Sequence, residues 1–146
     1  MSLDGLYEGD NIFARIVRRE VPAARICEDA DTLAFMDAFP QSPGHSLVIH
    51  KTARARNLLD ADLTELTPIM ATTQRVCRAL RAALAPDGLM VSQFNGAAAG
   101  QTVFHLHVHI IPRWRDVPLG RHASGGMADF AELTELARQI AERLDR

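Results

Sequence analysis

Gln101-Thr102-Val103-Phe104-His105-Leu106-His107-Val108-His109-Ile110-Ile111-Pro112 is the stretch that decides how this chain is read. From Phe104 to Ile110 apolar residues alternate with histidines, the period of a β-strand with two unlike faces. The alternation predicts a strand over 102–111, closed by Pro112, which has no N–H to give to a ladder. Phe104, Leu106, Val108 and Ile110 should anchor that strand to a core. His105, His107 and His109 should stand in one row on the opposite face. Half of the chain's six histidines are in this row.

Working outward, Asn95-Gly96-Ala97-Ala98-Ala99-Gly100 is a loop without side-chain bulk, and 89–94 before it reads as a strand. Upstream, 25–28 and 32–37 read as two strands joined by the turn-forming Asp29-Ala30-Asp31, and 46–50 as another, rich in branched residues. A rigid connection, Phe39-Pro40-Gln41-Ser42-Pro43-Gly44, leads into that strand. Residues 60–84 carry Leu63, Leu66, Ile69, Thr73, Val76, Leu80 and Leu84 at helical spacing, ending before Pro86 and Gly88. Pro68 interrupts this pattern: either the helix begins just before it, or the first turn is separate and kinked. Shorter helices are expected at 12–20, stopped before Pro22, and at 128–144, where Phe130, Leu133, Leu136, Ile140 and Leu144 share a face. The fold expected is α+β, an antiparallel sheet of about five strands with a long covering helix and a C-terminal helix.

The length, 146 residues, suits a single domain over 1–146. With 47% hydrophobic and 23% charged residues the composition is that of a soluble globular chain. A net charge of −2 supplies no basic field, so nucleic acid is not expected as a partner. No apolar run approaches membrane-spanning length, and the acidic residues 1–10 contain no signal-peptide core. Cys27 and Cys77 stand in no metal or redox spacing; they read as small buried apolar residues of a reduced, cytoplasmic protein.

Three readings of the histidine row compete. A merely solvated face gives no reason to repeat one residue type, since Thr, Lys or Ser would serve. Metal binding has more merit, because histidines at i and i+2 make a workable zinc pair. A strand rises about 3.4 Å per residue, however, so the outer two lie about 13 Å apart and cannot share an ion. Further ligands would have to come from Asp37, His45 or His50. Nucleophilic chemistry explains the row best: a neutral imidazole attacks phosphorus directly and splits a hard displacement into two easier ones. His107 is the histidine flanked on both sides, and the small-residue loop at 96–100 allows backbone amides to approach an anion.

His105-Leu106-His107-Val108-His109-Ile110-Ile111 resembles the motif of the histidine triad (HIT) superfamily, His-x-His-x-His followed by two apolar residues. Asn11-Ile12-Phe13, Leu33-Ala34-Phe35-Met36-Asp37, Pro43-Gly44-His45-Ser46-Leu47-Val48-Ile49, Asn95-Gly96 and Gly100-Gln101-Thr102 follow the family's order and spacing. The similarity thus extends from about Asn11 to Trp114. It implies a HIT-like fold with His107 as catalytic nucleophile, His109 touching the α-phosphate and His105 supporting the strand. It further implies that His45 orders the phosphate-binding side chains and that Asp37 bonds the ribose hydroxyls. Asn95, Gly100, Gln101 and Thr102 would line the phosphate and leaving group, and Ile12, Phe13 and Phe35 the base pocket. Some relatives carry a structural zinc on a Cys-x-x-Cys and downstream histidines. Those positions read Asn11, Ala14 and Ala53 here, so that zinc, and any other metal or cofactor, is not expected.

The activity implied is attack at the α-phosphate of a purine nucleotide through a nucleotidyl-histidine, in a nucleoside phosphoramidase or acyl-adenylate hydrolase. A dinucleoside polyphosphate hydrolase, a nucleotide-sensing module with slow residual hydrolysis and a His-ligated metalloenzyme are the alternatives. The resemblance also implies a homodimer.

Overall fold

The computed structural model describes residues 2–120 and 126–144. In chain order it contains α1 (Ile12–Val17), β1 (Arg25–Glu28), β2 (Thr32–Met36), β3 (Ser46–His50), α2 (Leu63–Leu84), β4 (Gly88–Ser92), β5 (His107–Arg113) and α3 (Phe130–Ala141). The strands form one sheet in the order β1-β2-β3-β5-β4. Every neighbouring pair is antiparallel. Every residue of β2 and β3 is buried, which their apolar, branched composition anticipates. Among the described residues no helix is long and apolar enough to cross a membrane. The expected α+β, HIT-like architecture is therefore the one observed.

Two cores lie on the two faces of the sheet. On one, α2 and α3 cover Ala34, Met36, Val48, Val108 and Ile110. On the other, Phe13 and Ile16 of α1 pack over Leu33, Phe35, Leu47 and Ile49. Ile49 pairs with His107 and Leu47 with His109, so both histidines emerge on the α1 face. Cys27 and Cys77 are free and half-buried, packed against the helix-side core. Burial pushes both thiols up.

Several boundaries differ from the sequence expectation for identifiable reasons. The strand expected at 102–111 begins only at His107. The Leu106 N–H goes to the carbonyl of Ala55 (2.9 Å), and the His105 ring lies 3.2 Å from the carbonyl of His50. Both bonds draw the approach past the end of β3 instead of along it. Phe104 is consequently no core anchor; it is half-buried, with the Arg56 guanidinium 4.6 Å above its ring. Pro112 does not close the strand. It lies beyond Ile110, the last residue paired with β3, and opposite Leu89 of β4. The long helix starts at Leu63, where Asp62 and Glu65 form a capping box, and it runs unbroken through Pro68. Residues Leu58–Asp60 form a separate 3₁₀ turn. The helix expected at 12–20 ends at Val17, and Arg19 adopts a left-handed φ of 63°.

Gly44 closes the Pro-rich connection with φ of 89°, and a Cβ built there would meet Leu84 Cδ1 at 2.7 Å. Gly44→Ala therefore adds a left-handed backbone cost of about 1–2 kcal/mol to a steric one. We expect its melting temperature to fall by roughly 5 °C in a calorimetric scan. An unchanged melting temperature would mean that this turn is not as described.

Candidate active site

The three histidine rings stand in a row even though His105 precedes the strand. The centroids of His107 and His109 are 5.0 Å apart. Phe13 packs edge-on against His107 at 4.9 Å and His105 at 6.1 Å. All three histidines are buried. Their hydrogen bonds fix where each ring carries its proton.

His107 Nδ1 lies 2.7 Å from the backbone carbonyl of His105. A carbonyl only accepts, so Nδ1 carries the hydrogen and the ring's lone pair is on Nε2. The same argument puts the His105 proton on Nε2, facing the His50 carbonyl, so its Nδ1 accepts from the Tyr7 hydroxyl at 2.8 Å. Burial lowers the His105 pKa from 6.5 to about 4. The unfolded chain therefore binds this proton first as the pH drops. The stability tied to the neutral ring is complete above pH 6.5 and is lost progressively down to about pH 4. Between about pH 7 and about pH 5 the wild type should lose about 2 kcal/mol more in urea unfolding than His105→Gln. Equal losses in the two proteins would remove His105 from this account.

Behind the row stands His45, fully buried. Its Nδ1 accepts the backbone N–H of Gln41 at 3.0 Å, so the ring is neutral with its hydrogen on Nε2. That Nε2 lies 2.9 Å from His109 Nδ1 and 3.3 Å from Asp37 Oδ2. Two N–H groups cannot face each other at such a distance. His109 Nδ1 is therefore the acceptor, and its own hydrogen is carried on Nε2. Asp37, also buried, accepts the Phe39 N–H through its other oxygen at 2.8 Å. One backbone amide thereby sets, through His45, which nitrogen of His109 is a donor.

Asp37, His45 and His109 bring one potential metal-ligating atom each within 4.8 Å of one another. The hydrogen bonding opposes their use as ligands. Metal-bound histidines donate their second nitrogen to an acceptor. His45 would have to coordinate through Nε2 while Nδ1 still accepts an amide, which requires an imidazolate. The donor set fits a hydrogen-bonded relay better than a cation.

A cavity of about 550 Å³ opens beside the row. Among the residues expected at a site, His107, His109, Asp37, Thr102, Ile12, Phe13 and Phe35 line it, Thr102 from an exposed position. His45 and His105 stand behind these. Asn95, Gly100 and Gln101 take other roles. The buried Gln101 carboxamide accepts the Gly96 N–H (2.8 Å) and donates to the carbonyls of Arg56 (2.7 Å) and Val103 (3.0 Å). The N–H groups of Ala99, Gly100 and Gln101 all go to carbonyls within the loop. The loop amides expected to meet an anion are thus largely committed to the loop, and Gln101 braces it from inside. Asn95 Oδ1 ties the end of β4 to the 3₁₀ turn by accepting the Leu58 N–H at 2.9 Å. Tyr7 and the cavity-lining Met127 and Phe130 escaped the sequence reading; only the helical pattern around Phe130 marked that region, and as core.

A model of the HIT domain matches residues 18–116. The adenosine 5'-monophosphoramidase hnt1 of Schizosaccharomyces pombe is 36% identical over 104 residues, covering 70% of this chain and 73% of that protein. The adenylylsulfatase HINT3 of Arabidopsis thaliana is 34% identical over 138 residues, 90% of this chain and 70% of that protein. A crystal structure of a Hit-like protein involved in cell-cycle regulation from Bartonella henselae, with an unknown ligand, superposes with a TM-score of 0.90. It is 44% identical over 96% of this chain and 100% of that one.

Proposed function

The chain belongs to the HIT family, and on that premise we propose that it hydrolyses a purine nucleotide at the α-phosphate through a nucleotidyl-histidine. The family includes nucleotide-binding hydrolases such as the two named relatives. We assign the finer reaction as that of a nucleoside phosphoramidase or acyl-adenylate hydrolase. The observation that carries this reading is the bond from His107 Nδ1 to the His105 carbonyl, which leaves the nucleophilic lone pair on Nε2.

Nε2 of His107 attacks the α-phosphorus and the bond from phosphorus to the leaving group breaks. His109 donates from Nε2 to a nonbridging oxygen, and such a preorganised donor contributes about 2.7–4 kcal/mol. Thr102, exposed at the cavity mouth, passes a proton to the departing atom and recovers one from the water that attacks in the second step. Water then attacks phosphorus, the P–N bond to His107 breaks, and the nucleoside monophosphate leaves. Asp37 holds the ribose hydroxyls, and Ile12, Phe13 and Phe35 hold the base.

The test compares hydrolysis of an adenosine phosphoramidate, an acyl-adenylate and a diadenosine polyphosphate, with a denaturing alkaline quench, which preserves a P–N bond, to trap radiolabelled phosphorus on the protein. Faster turnover of the first two and a trapped P–N adduct are expected. Preferential cleavage of the polyphosphate would shift the assignment to that class, and the absence of any turnover would sink the hydrolase reading.

A further inference from the structure

The cavity is bordered by both cores. Phe13, Ile16 and Phe35 belong to the core on the histidine face. Ala24, Met36 and Leu133 belong to the core beneath the helices, yet all six line the same cavity. This is possible only at the margin of the sheet, where β1 begins at Arg25 and β2 ends at Met36. The cavity is continuous round that corner. Its outer wall is the segment leading into α3. The Ala128 N–H bonds the carbonyl of Ala38 (2.8 Å), and Asp129 caps the helix by accepting the Glu132 N–H (3.2 Å). Those bonds hold Met127 and Phe130 at the rim, where they are 72% and 50% exposed. The side chains at this helix-side end of the cavity, among them Pro22, Ala24, Met36 and Phe130, offer no hydrogen-bonding atom. The polar lining groups, His107, His109, Asp37 and Thr102, belong to the histidine side.

We infer that the helix-side end of the cavity is a subsite for an apolar substituent on the substrate's nucleobase, and that Phe130 and Met127 determine specificity for it. The inference rests on the functional reading above, which fixes phosphorus at His107 and so directs the nucleoside, not the leaving group, round the corner. A bare exocyclic amine entering this apolar end loses its water without gaining a partner. An alkyl or aryl group on that amine instead gains by burial. Met127, Phe130 and Leu133 all lie outside the stretch matched by the family model.

Calorimetric titration of the full chain with adenosine monophosphate and with the benzyladenine nucleotide, whose exocyclic amine carries a benzyl group, tests this. The benzylated nucleotide should bind wild type about tenfold more tightly. Phe130→Ala and Met127→Ala should each shrink that advantage to about threefold or less, and Phe130→Leu should keep most of it. Thermal melts establish that the variants are folded. Adenosine monophosphate binding with no benzyl advantage would overturn the subsite and leave the nucleotide reading standing. An advantage that survives both alanine variants would overturn the role of these side chains. Failure of both nucleotides to bind wild type would overturn the functional reading and the subsite with it.

Discussion

His107→Asn should lower phosphoramidate turnover by about 10⁴-fold or more, with adenosine monophosphate affinity changing by less than about threefold. Asparagine fits the buried position and its amide can still donate to the His105 carbonyl, so the strand entry is retained. What disappears is the attacking nitrogen. Without it no P–N bond forms, and hydrolysis falls back on direct attack by water. The remaining donors still stabilise the transition state, which is why a residual rate above background is expected. On the proposed mechanism, monophosphate binding would rest on the apolar walls, Asp37 and His109, all unchanged. Single-turnover kinetics and a titration on the same preparation separate the two quantities. Retained turnover in this variant would remove His107 from the nucleophile's role.

His45→Phe should lower kcat by about 100-fold with a smaller change in KM, and should destabilise the protein by about 3 kcal/mol. Phenylalanine keeps most of the buried volume, so packing is not what is lost. The Gln41 N–H loses its acceptor, and Asp37 and His109 each lose a neighbour at 3.3 and 2.9 Å. The kinetic effect has a separate origin. With no N–H aimed at His109 Nδ1, the His109 ring is released to carry its hydrogen on Nδ1, leaving Nε2 without one for the phosphate. His45→Gln, which can restore an N–H near that position, should recover part of kcat. A variant with unaltered kcat and reduced stability would leave His45 a purely structural residue.

The sequence made the centre of the sheet legible because β2 and β3 are buried on both faces and their composition shows it. Local pattern misplaced the start of β5. Alternation continues through 104–106, but two tertiary bonds, to Ala55 and His50, override it there. The row of histidines was legible because side-chain alternation needs only the local backbone. Local sequence offered His45 and Asp37 only as possible metal ligands, and the roles expected of them and of Thr102 came from family resemblance, since nothing in their own surroundings distinguishes them from turn or core residues. Gln101 beside a glycine loop reads alike whether its carboxamide faces an anion or the loop itself; the backbone path decides, and it turns the group inward. Tyr7 is 98 residues from His105, and no local pattern could pair them.

That long-range bond has a practical side. The Arg56 guanidinium donates to the carbonyls of Leu6 (3.3 Å) and Ser2 (3.2 Å), and the Asn57 amide to that of Leu3 (3.1 Å), so the leading residues are strapped down just ahead of Tyr7. Chain attached ahead of Ser2 is expected to load this strap and, through one phenol, the His105 imidazole, so preparations that differ in what precedes Ser2 should differ in how that ring is held.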